Sequence, residues 1–311
     1  MSGSGAMPWI DGQAVTRLLP MAAAVDALES ALVAGLDPAA GPPRTVVGTR
    51  HGQVLLMPTE VADRVGVKIV SVAPGNTDRG LPRIQGVYVL MDAGTLTPVA
   101  LMDGIAITSL RTPAMSAVAV RHLAAADASS LVVFGTGPQA WGHVEAVRAV
   151  RPLADVVVVG RDLGRSRAFV DRVRASGLRG VLGTPQAVGD ADLVVCATTA
   201  GDPLFDGRLV QDSACVVAVG AHEPHRRELG ADLMGRATVV VEDVATALRE
   251  AGDVVMAVSA GALLAERLLT VADVVTGRAL VDPARPRVFK SVGMAWHDLV
   301  VATEVDRKRG R

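Results

Sequence analysis

Residues 131–147 read LVVFGTGPQAWGHVEAV. Apolar residues run into Gly135-Thr136-Gly137-Pro138-Gln139-Ala140, and the stretch 139–150 reads as a helix. The run Ser130–Phe134 predicts a buried strand ahead of it. Between the two, Gly135 can make a tight turn and Gly137 can let a ligand come close to the backbone. Ala140 allows close strand–helix packing, the role usually given to a third glycine. Pro138 suits the first helical turn, where its missing N–H is no loss. A second apolar run, DVVVVG at Asp155–Gly160, completes a strand–helix–strand unit. That order points to a dinucleotide whose pyrophosphate rests on the helix N-terminal amides. Gly135, Thr136, Gly137, Gln139 and Ala140 are its candidate contacts.

The end of the second strand bears on which dinucleotide. An acid there would hold the ribose hydroxyls, but Asp155 opens the strand rather than closing it. The strand ends in Gly160-Arg161, with Asp162 and Arg165 following. Arg161 suits a 2′-phosphate, so NADP is preferred over NAD, with Asp162 still able to accept from a ribose. Further strands are expected at Ala191–Ala197, Val216–Gly220 and Val239–Val241. Thr198 and Thr199 follow the first of these, and Val219 and Gly220 end the second; all four are candidate cofactor contacts.

The first third of the chain has a different rhythm. Met21–Val33 has helical spacing, and Pro38–Pro43 ends it. Arg44–Thr49, Gln53–Met57, Gly66–Ser71 and Gly86–Met91 then read as strands separated by turns, which predicts a mixed or antiparallel sheet. Lys68 interrupts the apolar run GVKIVSV. An ammonium there must reach water or meet an anion. Arg44 and Arg111 are further cations beside strand or helix starts, and arginine clamps carboxylates through paired hydrogen bonds.

Bulk composition narrows the classes. The 311 residues exceed one ordinary domain, and 50% are hydrophobic while 3% are aromatic, so Val, Ala, Leu and Ile must build the core. A net charge of −1 argues against nucleic acid as a partner. No stretch has the length and continuity of a membrane span, and the N-terminus lacks a basic-then-apolar leader, so a cytoplasmic protein is expected. Cys196 and Cys215 sit in apolar runs and read as reduced core residues. His222 and His225 lie in H-E-P-H with no cysteine cluster nearby, so no metal site is expected.

Several longer runs carry a resemblance: LLMP at 55–58, GVKIV with PGNTDRGLP at 66–82, and MDAGTLTPVALMDGIAITSLRTPAMSAVA at 91–119. GTGPQAWGH, VGAHEPHRREL at 219–229 and VFKSVG at 288–293 continue it in order. Together they resemble the ornithine cyclodeaminase/mu-crystallin family. The resemblance implies an α/β fold in two parts: a mixed-sheet substrate and dimerisation domain (1–116 with 290–311) and a Rossmann-like NAD(P)-binding domain (117–289). It implies that Arg44 and Arg111 hold a substrate carboxylate, that Met57 lines the pocket beside it, and that Lys68 stands at the reacting carbon. Asp232 would be the catalytic acid near the substrate nitrogen, with Glu228 as a weaker alternative, because Gly230 stands where many relatives carry an aspartate. Ser291 and Gly293 match the segment beside the nicotinamide, and Thr112 joins the cofactor contacts. Trp296-His297-Asp298 matches a helix rather than a catalytic triad.

The activity implied is NAD(P)H-dependent reduction of a small cyclic α-imino acid, of the pyrroline- or piperideine-2-carboxylate type. Ornithine cyclodeamination, an alanine dehydrogenase-like oxidation and a weakly active crystallin-like binding protein stand as alternatives. The partners implied are one small amino or imino acid and a second copy of the chain. The LMDG segment at 101–104 resembles the reductase and dehydrogenase branch.

Overall fold

The structure is a computed structural model and describes residues 7–310; the first six residues and Arg311 lie outside the described residues. Two compact units form, one from residues up to Arg111 together with Met294 onward, the other from Thr112–Gly293. These junctions fall four to five residues from those expected at 116/117 and 289/290. The reason at the first junction is local. One helix runs through residues 104–123 with Pro113 inside it, so no loop marks the change of unit.

The first unit opens with β1 (Trp9–Ile10), α1 (Gly12–Leu18) and α2 (Met21–Val33). A run of strands follows: β2 (Thr45–Thr49), β3 (Gly52–Val61), β4 (Arg64–Val72), β5 (Ile84–Asp92) and β6 (Pro98–Asp103). Helix α3 (Gly104–Leu123) leaves the sheet. The strands form one six-stranded sheet in the order β1-β6-β5-β4-β3-β2, antiparallel from β2 to β6 and closed by a parallel β1. The four strands expected here are present, each within a few residues of its expected limits; β1 and β6 were not anticipated. β6 was hidden because PVALMD opens on Pro and closes on Asp, leaving VALM as its apolar run.

Register explains the burial pattern. Met57, Lys68, Tyr88 and Met102 stand directly opposite one another across β3, β4, β5 and β6, and all four are buried. The alternate row, Leu56, Ile69 and Val87 with Pro58, Val67, Val89 and Leu101 beside it, points to the other face and stays half-exposed. That alternation is the period-two rule of a pleated strand. The last helix, α10 (Ala295–Arg309), packs on β3, β4, β5, α2 and α1 and, with α1 on β6, covers the buried row.

The second unit holds β7 (Ser130–Phe134), α4 (Pro138–Val150), β8 (Asp155–Val159), α5 (Leu163–Ala175), β9 (Arg179–Leu182), β10 (Leu193–Cys196), β11 (Cys215–Ala218), α6 (Ala231–Arg236), β12 (Thr238–Val241), α7 (Val244–Glu250), α8 (Gly252–Ser259), β13 (Leu269–Thr270), α9 (Val271–Val275) and β14 (Arg287–Lys290). All eight strands pair in parallel, in the order β13-β12-β14-β11-β10-β7-β8-β9. The chain goes outward from β7 through β8 to β9, then returns to the other side of β7 with β10. This is the strand-order reversal at which doubly wound sheets open a crevice beyond their C-terminal ends. The architecture is the Rossmann-like unit plus mixed-sheet α/β unit expected from the sequence. β14 enters between β11 and β12 although it comes last, a placement that no local pattern signals.

Candidate functional site

In the first unit, Lys68 is 2% exposed and projects from β4 beneath α10. Its Nζ donates to Asp298 Oδ1 at 2.9 Å and to Thr108 Oγ1 at 3.2 Å, and stands 2.7 Å from Asp298 Oδ2. Arg111 Nε donates to the same Asp298 Oδ1 at 3.0 Å. Asp298 is fully buried in the first turn of α10, where the helix dipole also favours a negative charge. Arg44, half-buried just before β2, adds its field to Lys68 and to His297. Two cations therefore share one carboxylate, with a third in electrostatic reach of Lys68.

The surroundings set the protonation states. Burial, then repulsion from Arg111, brings the Lys68 ammonium down from its ordinary 10.5 to about 7, even with Asp298 opposing the fall. Burial and the neighbouring Arg111, Lys68 and Arg44 hold His297 well below its ordinary range, so its imidazole is neutral. Tyr88, directly opposite Lys68, is pushed well above 10 by burial and by Asp298 and remains a phenol. Gly66 makes room for it, because a Cβ there would run into the Tyr88 hydroxyl. The structure thus brings Lys68, Arg111 and Met57 together, with Arg44 within electrostatic reach. Asp298, the anion at their centre, was passed over in the sequence because its neighbours suggested only a helix.

In the second unit, the glycine loop lies at the strand-order reversal. Gly135 has φ +110°, and a Cβ on it would stand 2.5 Å from the Ala197 carbonyl at the end of β10. Gly137 is the N-cap of α4 with no side-chain cap, Pro138 follows, and nothing lies within 4 Å of where a Gly137 Cβ would be. An uncapped helix N-terminus facing open space is what a pyrophosphate needs, so the residues fit a dinucleotide. His143 holds this turn from below. Its Nδ1–H donates to Gln139 O at 2.7 Å, and its Nε2 meets Ser116 Oγ at 2.9 Å. Burial brings its pKa down to about 4. Ser116 Oγ also lies 3.1 Å from the Thr112 carbonyl.

At the end of β8, Gly160 leaves space for Ser166 and Thr136, which a Cβ would strike. Asp162 is committed to capping α5, accepting from Arg165 N at 2.7 Å, while Arg161 is exposed. The candidate contacts at the other strand ends have carboxylate partners that the sequence did not reveal. Thr198 and Gly220 donate to Glu228, and Ser291 and Gly293 to Glu242. Val219 N joins Cys196 O across the sheet, and Thr199 is exposed with its carbonyl taken by Arg226.

Asp232 is exposed in the first turn of α6, folded back over Gly230, where a Cβ would collide with its Oδ1. Its carboxylate interacts with Asp206 and Arg208. Gly230 is thus the residue that admits this fold-back. Among the described residues, no His, Cys, Asp and Glu are grouped to hold a metal, and no helix is long and apolar enough to cross a membrane.

The chain is 35% identical over 262 residues to a Delta(1)-pyrroline-2-carboxylate reductase of Bacillus thuringiensis subsp. konkukian, covering 80% of this chain and 79% of that protein. It is 34% identical over 305 residues to the Delta(1)-pyrroline-2-carboxylate/Delta(1)-piperideine-2-carboxylate reductase of Azospirillum brasilense, covering 96% and 95%. The solved structure of Thermococcus litoralis Delta(1)-pyrroline-2-carboxylate reductase, in complex with NADH and L-proline, superimposes with a TM-score of 0.90 at 27% identity over 97% of each chain. The family model described as ornithine cyclodeaminase/mu-crystallin matches residues 11–309. With its mixed sheet carrying the buried cations and its parallel sheet carrying the glycine loop, this chain belongs to the ornithine cyclodeaminase/mu-crystallin family.

Proposed function

We propose that the protein reduces a small cyclic α-imino acid, of the pyrroline-2-carboxylate or piperideine-2-carboxylate type, to the cyclic amino acid, using NADPH in preference to NADH. The observation that carries the reading is the charge count of the buried cluster. Lys68 and Arg111, both buried, share the single carboxylate of Asp298, so the cluster suits one further anion. A substrate carboxylate meets that need through charge-assisted hydrogen bonds. Relatives of this length act on such imino acids, and one solved relative binds L-proline with NADH.

The nicotinamide, when bound, supplies hydride to the imine carbon. The chain's own residues do the rest. Arg111 and Arg44 fix the carboxylate, and Met57 beside Lys68 shapes the apolar side of the ring site. Lys68 Nζ, with a pKa of about 7, can hold and release a proton at neutral pH, and we assign it the proton that the imine nitrogen gains. Asp232 has no part in this reading, because its carboxylate is exposed and folded back toward Gly230 and Asp206.

Arg161, exposed beyond β8 and with Asp162 occupied as a cap, supports the phosphorylated cofactor. The half-exposed apolar row of Leu56, Val67, Ile69, Val87 and Val89 supports a homodimer through the mixed sheet. Cys196 and Cys215, both free and buried, support work in a reducing compartment, the cytoplasm.

The test is a paired assay. Oxidation of NADPH or NADH is followed with both cyclic imines, beside proline and ammonia formation from ornithine with NAD. Stoichiometric loss of reduced cofactor with an imine is the expected outcome. Ammonia release from ornithine without net cofactor turnover would replace the reading with cyclodeamination. Arg161→Ala is expected to cost about tenfold in preference for NADPH over NADH, the size of one lost charge-assisted contact.

A further inference from the structure

Three charged side chains are buried together in the second unit with no part in the chemistry above. Glu228, Asp253 and Lys290 are each at most 1% exposed. Glu228 Oε1 accepts from Thr198 N at 2.7 Å and Thr198 Oγ1 at 2.8 Å, and Oε2 accepts from Gly220 N at 2.7 Å. One carboxylate therefore holds the turns that follow β10 and β11. Asp253, on α8, accepts from the backbone N–H of Glu228 and Leu229 at 2.7 and 2.8 Å. Its other oxygen lies 2.8 Å from Lys290 Nζ at the end of β14, and that ammonium donates to the Ala221 carbonyl at 2.5 Å. The circuit ties the C-terminal ends of three adjacent strands to one helix.

We infer that Glu228, backed by Asp253 and Lys290, is a positioning residue that holds the β10 and β11 turns in the conformation that receives the cofactor, and is not the acid of the reaction. The inference rests on the dinucleotide reading of this crevice. Its physical basis is occupancy. Both Glu228 oxygens are engaged by the two turns, Oε1 by Thr198 N and Oγ1 and Oε2 by Gly220 N, so the carboxylate is committed to holding them rather than to a substrate. A buried ionic cluster of this kind is an expensive way to gain stability, which apolar residues of the same volume supply as well. What it adds is direction, since each carboxylate oxygen and ammonium proton has one place to go. Gly220 has no room for a side chain, because a Cβ would strike both the Thr198 carbonyl and Glu228. The two turns are thus packed onto the carboxylate and cannot shift separately.

The test uses the full-length protein with NADPH and NADH as probes. Glu228→Gln keeps the shape but turns an NH2 group toward a donor. The expected result is a cofactor Kd raised about tenfold or more, with kcat at saturating cofactor and its pH profile within about threefold of wild type. A kcat that collapses while cofactor Kd stays unchanged would make Glu228 the acid and overturn the inference. So would a variant indistinguishable from wild type.

Amide hydrogen exchange on the cofactor-free wild-type protein gives a second readout that needs no variant. Protection at Thr198 and Gly220 comparable with β10 and β11 is expected, and exchange at open-loop rates would overturn the inference. Wild-type protein that binds neither nucleotide would defeat the cofactor reading itself, an outcome distinct from either of these.

Discussion

A lysine inside a sheet is tolerable only when its charge is matched, and Lys68 is matched by Asp298 while being opposed by Arg111. Because its pKa falls from 10.5 unfolded to about 7 folded, the unfolded chain binds the extra proton between those values. Stability contributed by this group therefore rises with pH from about 7 to 10.5. Lys68→Met is expected to flatten that rise in urea unfolding compared at neutral and alkaline pH, and to abolish imine reduction. Catalysis that needs the ammonium runs the other way: kcat/KM is expected to fall as pH rises through about 7. Asp298→Asn removes the carboxylate that holds the Lys68 pKa up, so this limb is expected to move to lower pH. The same change leaves Arg111 and Lys68 without their counter-ion and is expected to cost about 3–5 kcal/mol of stability. An unmoved limb in a folded Asp298→Asn protein would detach Lys68 from the rate.

At the scale of elements, the strand–turn–helix of β7 and α4 was legible because each residue type has one local reason. Gly135 shows it best. Its φ of +110° is unfavourable for any side chain, and the Ala197 carbonyl of the neighbouring strand end leaves no room for one. Gly135→Ala is expected to lower stability by about 1–3 kcal/mol, read as a lower Tm, and to weaken dinucleotide binding. Unchanged cofactor affinity in that variant would mean that the loop is not the anion cradle. The antiparallel strands β2 to β5 were equally legible from turns and apolar alternation. β6, β9 and β14 were not, since PVALMD, RGVL and RVFK are interrupted at their ends by Pro, Gly or charged residues and leave apolar runs of two to four residues.

At the scale of the molecule, the mixed sheet has two unlike faces. One is sealed by α10 and α1 over Met57, Lys68, Tyr88 and Met102; the other leaves Ile69, Val67, Val87 and Val89 half in water. Such a face is expected to meet a second copy, giving a particle of twice 32.0 kDa by light scattering. Ile69→Lys, directly opposite Leu56 and Val87, is expected to yield monomer with unchanged circular dichroism. A wild-type monomer at micromolar concentration would remove the dimer from the proposal.

What the amino-acid sequence determined by itself was whatever depends on near neighbours: the glycine turn, the strand–helix rhythm, the anomaly of Lys68 and the composition of a Val-rich parallel sheet. Periodicity and turn chemistry act over a few residues, and so they can be read in one dimension. Only the tertiary structure placed Asp298 against Lys68, 230 positions earlier, and Arg111, 187 positions earlier. It also placed Lys290 and Asp253 behind Glu228, because a buried charge finds its partner through packing, which leaves no local trace in the chain.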